Sequence, residues 1–179
     1  MGATYKMKIA GVERELPLCA VSDSLDIAAF IVFGDVEITI EGSKELLKRV
    51  PDFDVILTPE AKSIPIAYEM SRQSGKPYVV ARKGTKVYMK DPISVDVRSI
   101  TTARQQKLYL GADEVSIIRG KKVLIVDDVI STGESLVAVR DLVSAAGGIE
   151  AAACAYLAEG DAAERKDIIF LEKLPVFPK

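Results

Sequence analysis

Apolar and polar positions change their spacing along this chain, and the change divides it. Residues 5–9 and 14–18 alternate in part around Ala10-Gly11-Val12-Glu13, which predicts a β-hairpin with Gly11 available for positive φ. Segment 25–40 is apolar and fits helix and strand equally, with Gly34-Asp35 punctuating it. Ser43 to Val50 predicts a helix: Ser43 as N-cap, Leu46, Leu47 and Val50 on one face, Pro51 as its end.

Beyond Pro51 short apolar runs alternate with helical spacing. Asp54 to Thr58 and Tyr78 to Ala81 are continuous runs of the kind buried on both faces of a sheet. Between them Ala61 to Gln73 repeats at helical spacing and stops at Gly75-Lys76-Pro77. Residues 82–120 are polar, basic at first and rich in β-branched residues, which predicts an extended flap of strands with Arg104, Gln105 and Gln106 at its tip. Lys122 to Val126 is the clearest strand. A helix over 133–146 follows, its core face Leu136, Val139, Val143 and Ala146, closed by Gly147-Gly148. Ile149 to Leu157 and Ile168 to Leu171 read as the last strands. The alternation predicts one α/β domain over 1–179, a mostly parallel twisted sheet flanked by helices, with 1–42 as a small N-terminal hood and hairpin.

A chain of 179 residues sustains one core without disulfide or metal staples. It carries 24 Lys+Arg and 26 Asp+Glu, so no basic surplus points to nucleic acid. There is no histidine, which removes Ser-His and Cys-His catalysis and imidazole proton shuttling. Cys19 and Cys154 are too few for a disulfide framework or thiolate cage, and each sits in an apolar run that predicts a buried filler. Neither a signal h-region nor a stretch approaching ~20 apolar residues occurs, so the expected compartment is the cytoplasm, with no membrane partner.

The candidate chemistry lies in Val123-Leu124-Ile125-Val126-Asp127-Asp128-Val129-Ile130-Ser131-Thr132-Gly133-Glu134-Ser135. A buried strand delivers two adjacent carboxylates to its carboxyl end, where ligands bind in open α/β sheets. A turn of small residues then enters a helix whose first backbone N–H groups are unpaired and favour an anion. Ser131, Thr132 and Ser135 add hydroxyls, and Gly133 admits close approach. Carboxylates beside a phosphate cradle suit a phosphorylated sugar, its hydroxyls on the acids. The bland alternative is a solvated Asp-Asp pair with Ser131 capping a helix. A receiver domain is excluded, because only 51 residues follow Asp128.

This segment resembles the ribose-phosphate motif of the type I phosphoribosyltransferases. Leu57 to Pro65 sits where those enzymes carry a pyrophosphate loop, and Val80-Ala81-Arg82-Lys83 where the purine-using members carry an Arg-Lys pair. The resemblance covers about residues 50–158 and is nearest the adenine phosphoribosyltransferase-like branch. It implies transfer of a 5-phosphoribosyl group from 5-phosphoribosyl 1-pyrophosphate to a purine, adenine favoured, with Mg²⁺ held mainly by pyrophosphate and water rather than by protein ligands. Asp127 and Asp128 then serve the ribose face as the catalytic pair, and both join Ser131, Thr132, Gly133, Glu134 and Ser135 around the ribose phosphate. Thr58, Glu60, Ala61, Lys62, Ser63, Arg82, Lys83 and Lys86 form the pyrophosphate side. Base recognition falls to the hood and the strand end at Ala81, with Phe30 or Phe33 as stacking candidates; for either aromatic alone, core is the commoner role. The family also implies a homodimer, and Val87, Tyr88, Met89, Pro92 and Ile93 supply apolar content on the flap for a partner to cover.

Three sequence features depart from the adenine pattern. Lys62-Ser63 stands where adenine enzymes have Arg-Gly, Glu134 stands in place of a glycine, and the flap has no Glu between Lys83 and Gly111. Glu60-Ala61 with Ile64-Pro65 leans toward members using 6-oxopurines. Three functions therefore stay open: a purine phosphoribosyltransferase, a non-catalytic ligand-sensing regulator of the same fold, and a transferase acting on a non-purine acceptor.

Overall fold

A five-stranded parallel sheet forms the centre of the molecule. The computed structural model describes residues 2–97 and 106–179. The expected tip residues Arg104 and Gln105, with Ile100, Thr101 and Thr102, lie outside that range. The strands are β4 (Val55–Pro59), β5 (Tyr78–Ala81), β8 (Lys122–Ile130), β9 (Ile149–Glu159) and β10 (Ile169–Leu174), in the order β10-β9-β8-β4-β5. Every neighbouring pair is parallel.

Alternation along these strands sorts side chains onto two cores. Val55 and Leu57 of β4, Val123 and Ile125 of β8, and Ala153 and Ala155 of β9 face one layer. That layer holds α3 (Ala112–Ile118), α4 (Glu134–Ala145) and the antiparallel pair β6 (Ile93–Val97) and β7 (Gln106–Leu110). Ile56, Leu124, Val126, Cys154 and Tyr156 face the other layer, built from α1 (Val36–Leu47), α2 (Ile64–Ser74) and the hood. The flap expected over 82–120 is therefore shorter than its polarity suggested. Val115 and Ile118 are buried, which makes 112–118 a helix on the core rather than part of a strand pair.

The hood is a four-stranded antiparallel sheet. Strands β1 (Thr4–Ile9), β2 (Val12–Ser22) and β3 (Leu25–Ala28) are joined by β11 (Val176–Pro178), which pairs with β3. Ala10 and Gly11 both take positive φ, 49° and 84°, the geometry of a two-residue hairpin turn. Cys19 is exposed on β2, so it is not the buried filler its neighbours suggested; Cys154 is buried.

The expected cap at Ser43 is also corrected. Helix α1 begins earlier, with Asp35 accepting the Ile38 N–H at 3.2 Å, and the 36–42 stretch assigned to the hood lies inside it. Asp35 is fixed in turn by Arg14 of β2, whose Nε lies 2.6 Å from Oδ2. Ser43 is fully buried mid-helix and donates to the Tyr156 hydroxyl at 2.9 Å, since that hydroxyl gives its own proton to the Thr39 carbonyl at 2.8 Å. At Gly42 a Cβ would fall on the Tyr156 ring, so glycine sets how closely α1 approaches the sheet.

Candidate active site

β4 and β8 lie side by side, and the turn after β4 together with Asp127, Asp128 and Val129 of β8 lines a cavity of about 310 Å³. Glu60, Ala61, Lys62, Ser63, Lys83, Asp127, Asp128 and Ser135 line it, all of them expected. A second cavity of about 120 Å³ adjoins it, sharing Asp127, Val129 and Ser135, and is lined by Ser131, Thr132 and Gly133. The acid pair thus stands between the chamber that holds Lys62 and Lys83 and the turn that opens α4.

That turn keeps its donors free. Gly133 takes φ 83° as the residue before α4, and no side chain caps the helix. The only side-chain contact to its first amides among the described residues is a long one, Glu134 N–H to Thr132 Oγ1 at 3.5 Å. Unpaired amides at the positive end of a helix dipole form an anion nest. Glu134 is half-buried on the first turn and lines neither cavity.

Burial and mutual repulsion govern the two acids. Asp128 is 3% exposed, and its backbone N–H donates to Asp127 Oδ1 at 2.9 Å. Lys62 Nζ comes within 2.8 Å of Asp128 Oδ2, yet its approach is too oblique for a hydrogen bond, so that buried oxygen has no aligned donor. Burial, and then the neighbouring Asp128 charge, push the Asp127 carboxyl up to about 8. A proton therefore stays on Asp127 at neutral pH, while Asp128 Oδ2 lies covered beside Lys62.

The turn after β4 is pinned from behind. The Thr58 hydroxyl donates to Ser63 Oγ at 2.7 Å, which donates to the Pro59 carbonyl at 3.2 Å; Thr58 Oγ1 also lies 2.9 Å from the Val126 carbonyl. Thr58 is fully buried and stays out of the cavity, holding the turn against β8. The Glu60–Ala61 peptide is cis. Glu60 accepts the Lys83 N–H at 2.9 Å, which ties the end of β5 to the same turn.

Other expected residues stand elsewhere. Arg82 pairs its backbone with Tyr109 and gives its Nη2 to the Tyr88 hydroxyl at 2.9 Å, away from the cavity lining. Lys86 is exposed in a turn against Met89. Phe30 is buried against Tyr156 with ring centroids 6.3 Å apart, which makes it core and leaves it no free face for a base. Phe33 is 53% exposed and Ala81 fully buried, and neither lines the cavity. The structure adds Pro59, Val97, Gln106, Leu108 and Val129 to the lining. The alternation of β7 puts Gln106 and Leu108 on one side, which was the available signal. Of the flap's apolar residues, Val87 and Tyr88 are exposed, while Ile93 packs on the core with Val95 and Val97.

The parallel sheet thus brings together an acid pair in β8, an anion nest beside it and the Lys62 turn opposite. The profile of the phosphoribosyl transferase domain matches residues 40–177, and the chain belongs to that family. It is 37% identical over 119 residues to a hypoxanthine/guanine phosphoribosyltransferase of Methanothrix thermoacetophila, covering 65% of this chain and 59% of that one. It is 30% identical over 143 residues to an adenine phosphoribosyltransferase of Thermotoga neapolitana, covering 72% and 78%. Among solved structures, an adenine phosphoribosyltransferase from Thermoanaerobacter pseudethanolicus superposes with a TM-score of 0.64 at 26% identity, covering 75% of this chain and 78% of that one. One from Rhodothermus marinus has a TM-score of 0.66 at 17% identity over 96% and 94%, a likeness of fold.

Proposed function

We propose that the chain transfers a 5-phosphoribosyl group from 5-phosphoribosyl 1-pyrophosphate to a purine base. The observation that carries this reading is the convergence of Asp127, Asp128, Lys62, Lys83 and Ser135 on one cavity that adjoins the nest before α4. In it the 5-phosphate sits on the amides around Thr132–Ser135, the ribose hydroxyls meet the acid pair, and pyrophosphate lies toward Lys62 and Lys83. A ring nitrogen of the base bonds to the anomeric carbon as the carbon–oxygen bond to pyrophosphate breaks. Positive charge grows on the sugar in that step, and the negative charge that the acid pair retains stabilises it. Lys62 and Lys83 meet the charge that develops on the leaving group. Among the described residues no three acids or cysteines group together as a metal cage; Mg²⁺ would enter on pyrophosphate and water and neutralise the leaving group when bound.

The adenine reading draws on the Thermotoga relative and the structural neighbours. The 6-oxopurine reading draws on the archaeal relatives and on Glu60-Ala61 with Ile64-Pro65. Pyrophosphate release with Mg²⁺ and adenine, hypoxanthine, guanine or xanthine offered separately decides between them. Absence of release with every base, alongside retained binding of the sugar phosphate, overturns the purine reading and leaves the non-catalytic regulator and the transferase with a non-purine acceptor. A homodimer belongs to the same proposal, resting on family membership and the exposed Val87 and Tyr88. Light scattering at micromolar concentration tests it.

A further inference from the structure

Most polar groups of the larger cavity already have a task. Asp127, Asp128, Lys62 and Lys83 meet the sugar and the pyrophosphate in the proposed reaction. Ser63 is buried and spends its hydroxyl on Thr58 and the Pro59 carbonyl, and Glu60 takes the Lys83 N–H. A purine asks for something else: apolar cover for its faces, and a neutral group that both gives and accepts hydrogen bonds along its edge. Val97, Leu108 and Val129 supply apolar cover in the same cavity. Gln106 supplies the neutral group, the only side-chain amide in the lining among the described residues. The register of the flap strands shows how it differs from its neighbours. Ile93 pairs with Leu110, Val95 with Leu108, and Val97 with Gln106. The first two pairs are apolar on apolar and pack on the core. At the third pair the same face reaches the cavity, and an amide stands where the pattern calls for another apolar residue.

We propose that Gln106 reads the purine edge at positions 1 and 6, and that its amide lets the site take adenine and 6-oxopurines alike. Adenine offers a 6-amino donor beside an N1 acceptor. A 6-oxopurine offers an O6 acceptor beside an N1–H donor. A primary amide carries a donor and an acceptor side by side, so turning it over matches either edge with two bonds. A lysine donates only and a carboxylate accepts only, so neither matches more than half of either edge. The inference rests on the purine transferase reading and names the group that sets its choice of base.

The test is steady-state kinetics of the full chain with 5-phosphoribosyl 1-pyrophosphate, Mg²⁺ and adenine, hypoxanthine or unsubstituted purine. Wild type is expected to use adenine and hypoxanthine with kcat/KM values within about tenfold of each other. Gln106→Leu is expected to raise KM for both about tenfold, the loss of the edge contacts, with KM for the sugar pyrophosphate unchanged. Gln106→Met, which keeps the length of the side chain, repeats the comparison. Purine, which lacks the 6-substituent, is expected to lose less than adenine in both variants. Lys107→Ala, on the other face of β7, is expected to change neither KM. Base KM values that stay at wild type in both Gln106 variants overturn the inference and leave the transferase reading standing. A parallel rise in KM for the sugar pyrophosphate, an equal loss with purine, or the same effect from Lys107→Ala assigns Gln106 to scaffolding and also overturns it. So does a wild type that uses only one of the two base classes. Pyrophosphate release with none of the bases removes the purine reading and this inference together.

Discussion

Lys62 and Asp128 meet across the cavity at 2.8 Å, one side chain half exposed and the other almost wholly buried. The contact joins the turn after β4 to the end of β8 before any ligand arrives. Its energetic value is asymmetric. Lys62 keeps much of its hydration, whereas Asp128 has lost nearly all of its own and has no aligned hydrogen bond at Oδ2.

Lys62→Ala is therefore expected to act on stability and on binding. Leaving the buried carboxylate without its counter-ion costs about 1–2 kcal/mol, the low end for a broken buried pair because Lys62 is half exposed. Pyrophosphate affinity falls in the same variant. Urea denaturation and a pyrophosphate titration read the two effects. A variant as stable as wild type shows that Asp128 finds its compensation elsewhere.

Asp127 makes stability depend on pH in an unusual direction. Its carboxyl is raised in the folded chain, so between about pH 4 and pH 8 the native state holds a proton that the unfolded chain releases. This group's contribution thus declines as pH rises through that window and levels off above it. Asp127→Asn removes the penalty. The variant is expected to melt higher than wild type at pH 8, with the difference shrinking to nothing near pH 4, while sugar-phosphate binding is lost. A melting difference that stays constant across this range contradicts the assignment.

Gly133→Ala confronts two obstacles at once. The φ of 83° is strained for any L side chain, and the new methyl meets Arg165. A stability loss of about 1–3 kcal/mol is expected, with loss of ribose 5-phosphate binding. Thermal melts with and without that ligand measure both. Ligand stabilisation equal to that of wild type argues against the nest.

Tyr156→Phe is the control distant from the chemistry. It removes a buried hydroxyl that serves Ser43 and the Thr39 carbonyl, at an expected cost of about 1–2 kcal/mol. Ligand affinities remain those of wild type. A binding defect here shows that α1 and the sheet communicate with the site.

The parts of the fold that sequence disclosed are those where local pattern and tertiary role agree. β8 is legible from its apolar run Val123–Val126, although the strand does not stop at the acids: it holds Asp127 and Asp128 inside it and runs on to Ile130. At α1 the two diverge. Ser43 has the chemistry of an N-cap, but its hydroxyl answers Tyr156, more than a hundred residues away, and Asp35 takes the cap because Arg14 holds it there. α3 was hidden because its buried face is only Val115 and Ile118, too few to establish a helical period. The site divides the same way. Asp127 and Asp128 stand in β8 just past its apolar run and Lys62 on the turn after β4, the neighbouring strand, so their convergence followed from topology. Thr58 and Arg82 have the right chemistry but spend it on internal bonds, a choice made by neighbours from other elements.

The pairing of β11 with β3 bears on the order in which the molecule assembles. Val176 lies opposite Ile27, so a piece of the earliest sequence waits for nearly the last before its sheet is complete. During synthesis the hairpin β1–β2 forms from local contacts, and the parallel sheet gains its strands one crossover at a time. Throughout, β3 keeps an open edge of unpaired backbone groups. Closing so long a loop is slow, and an open edge invites pairing with another chain. The hood sheet is thus incomplete until residues 176–178 pair with β3.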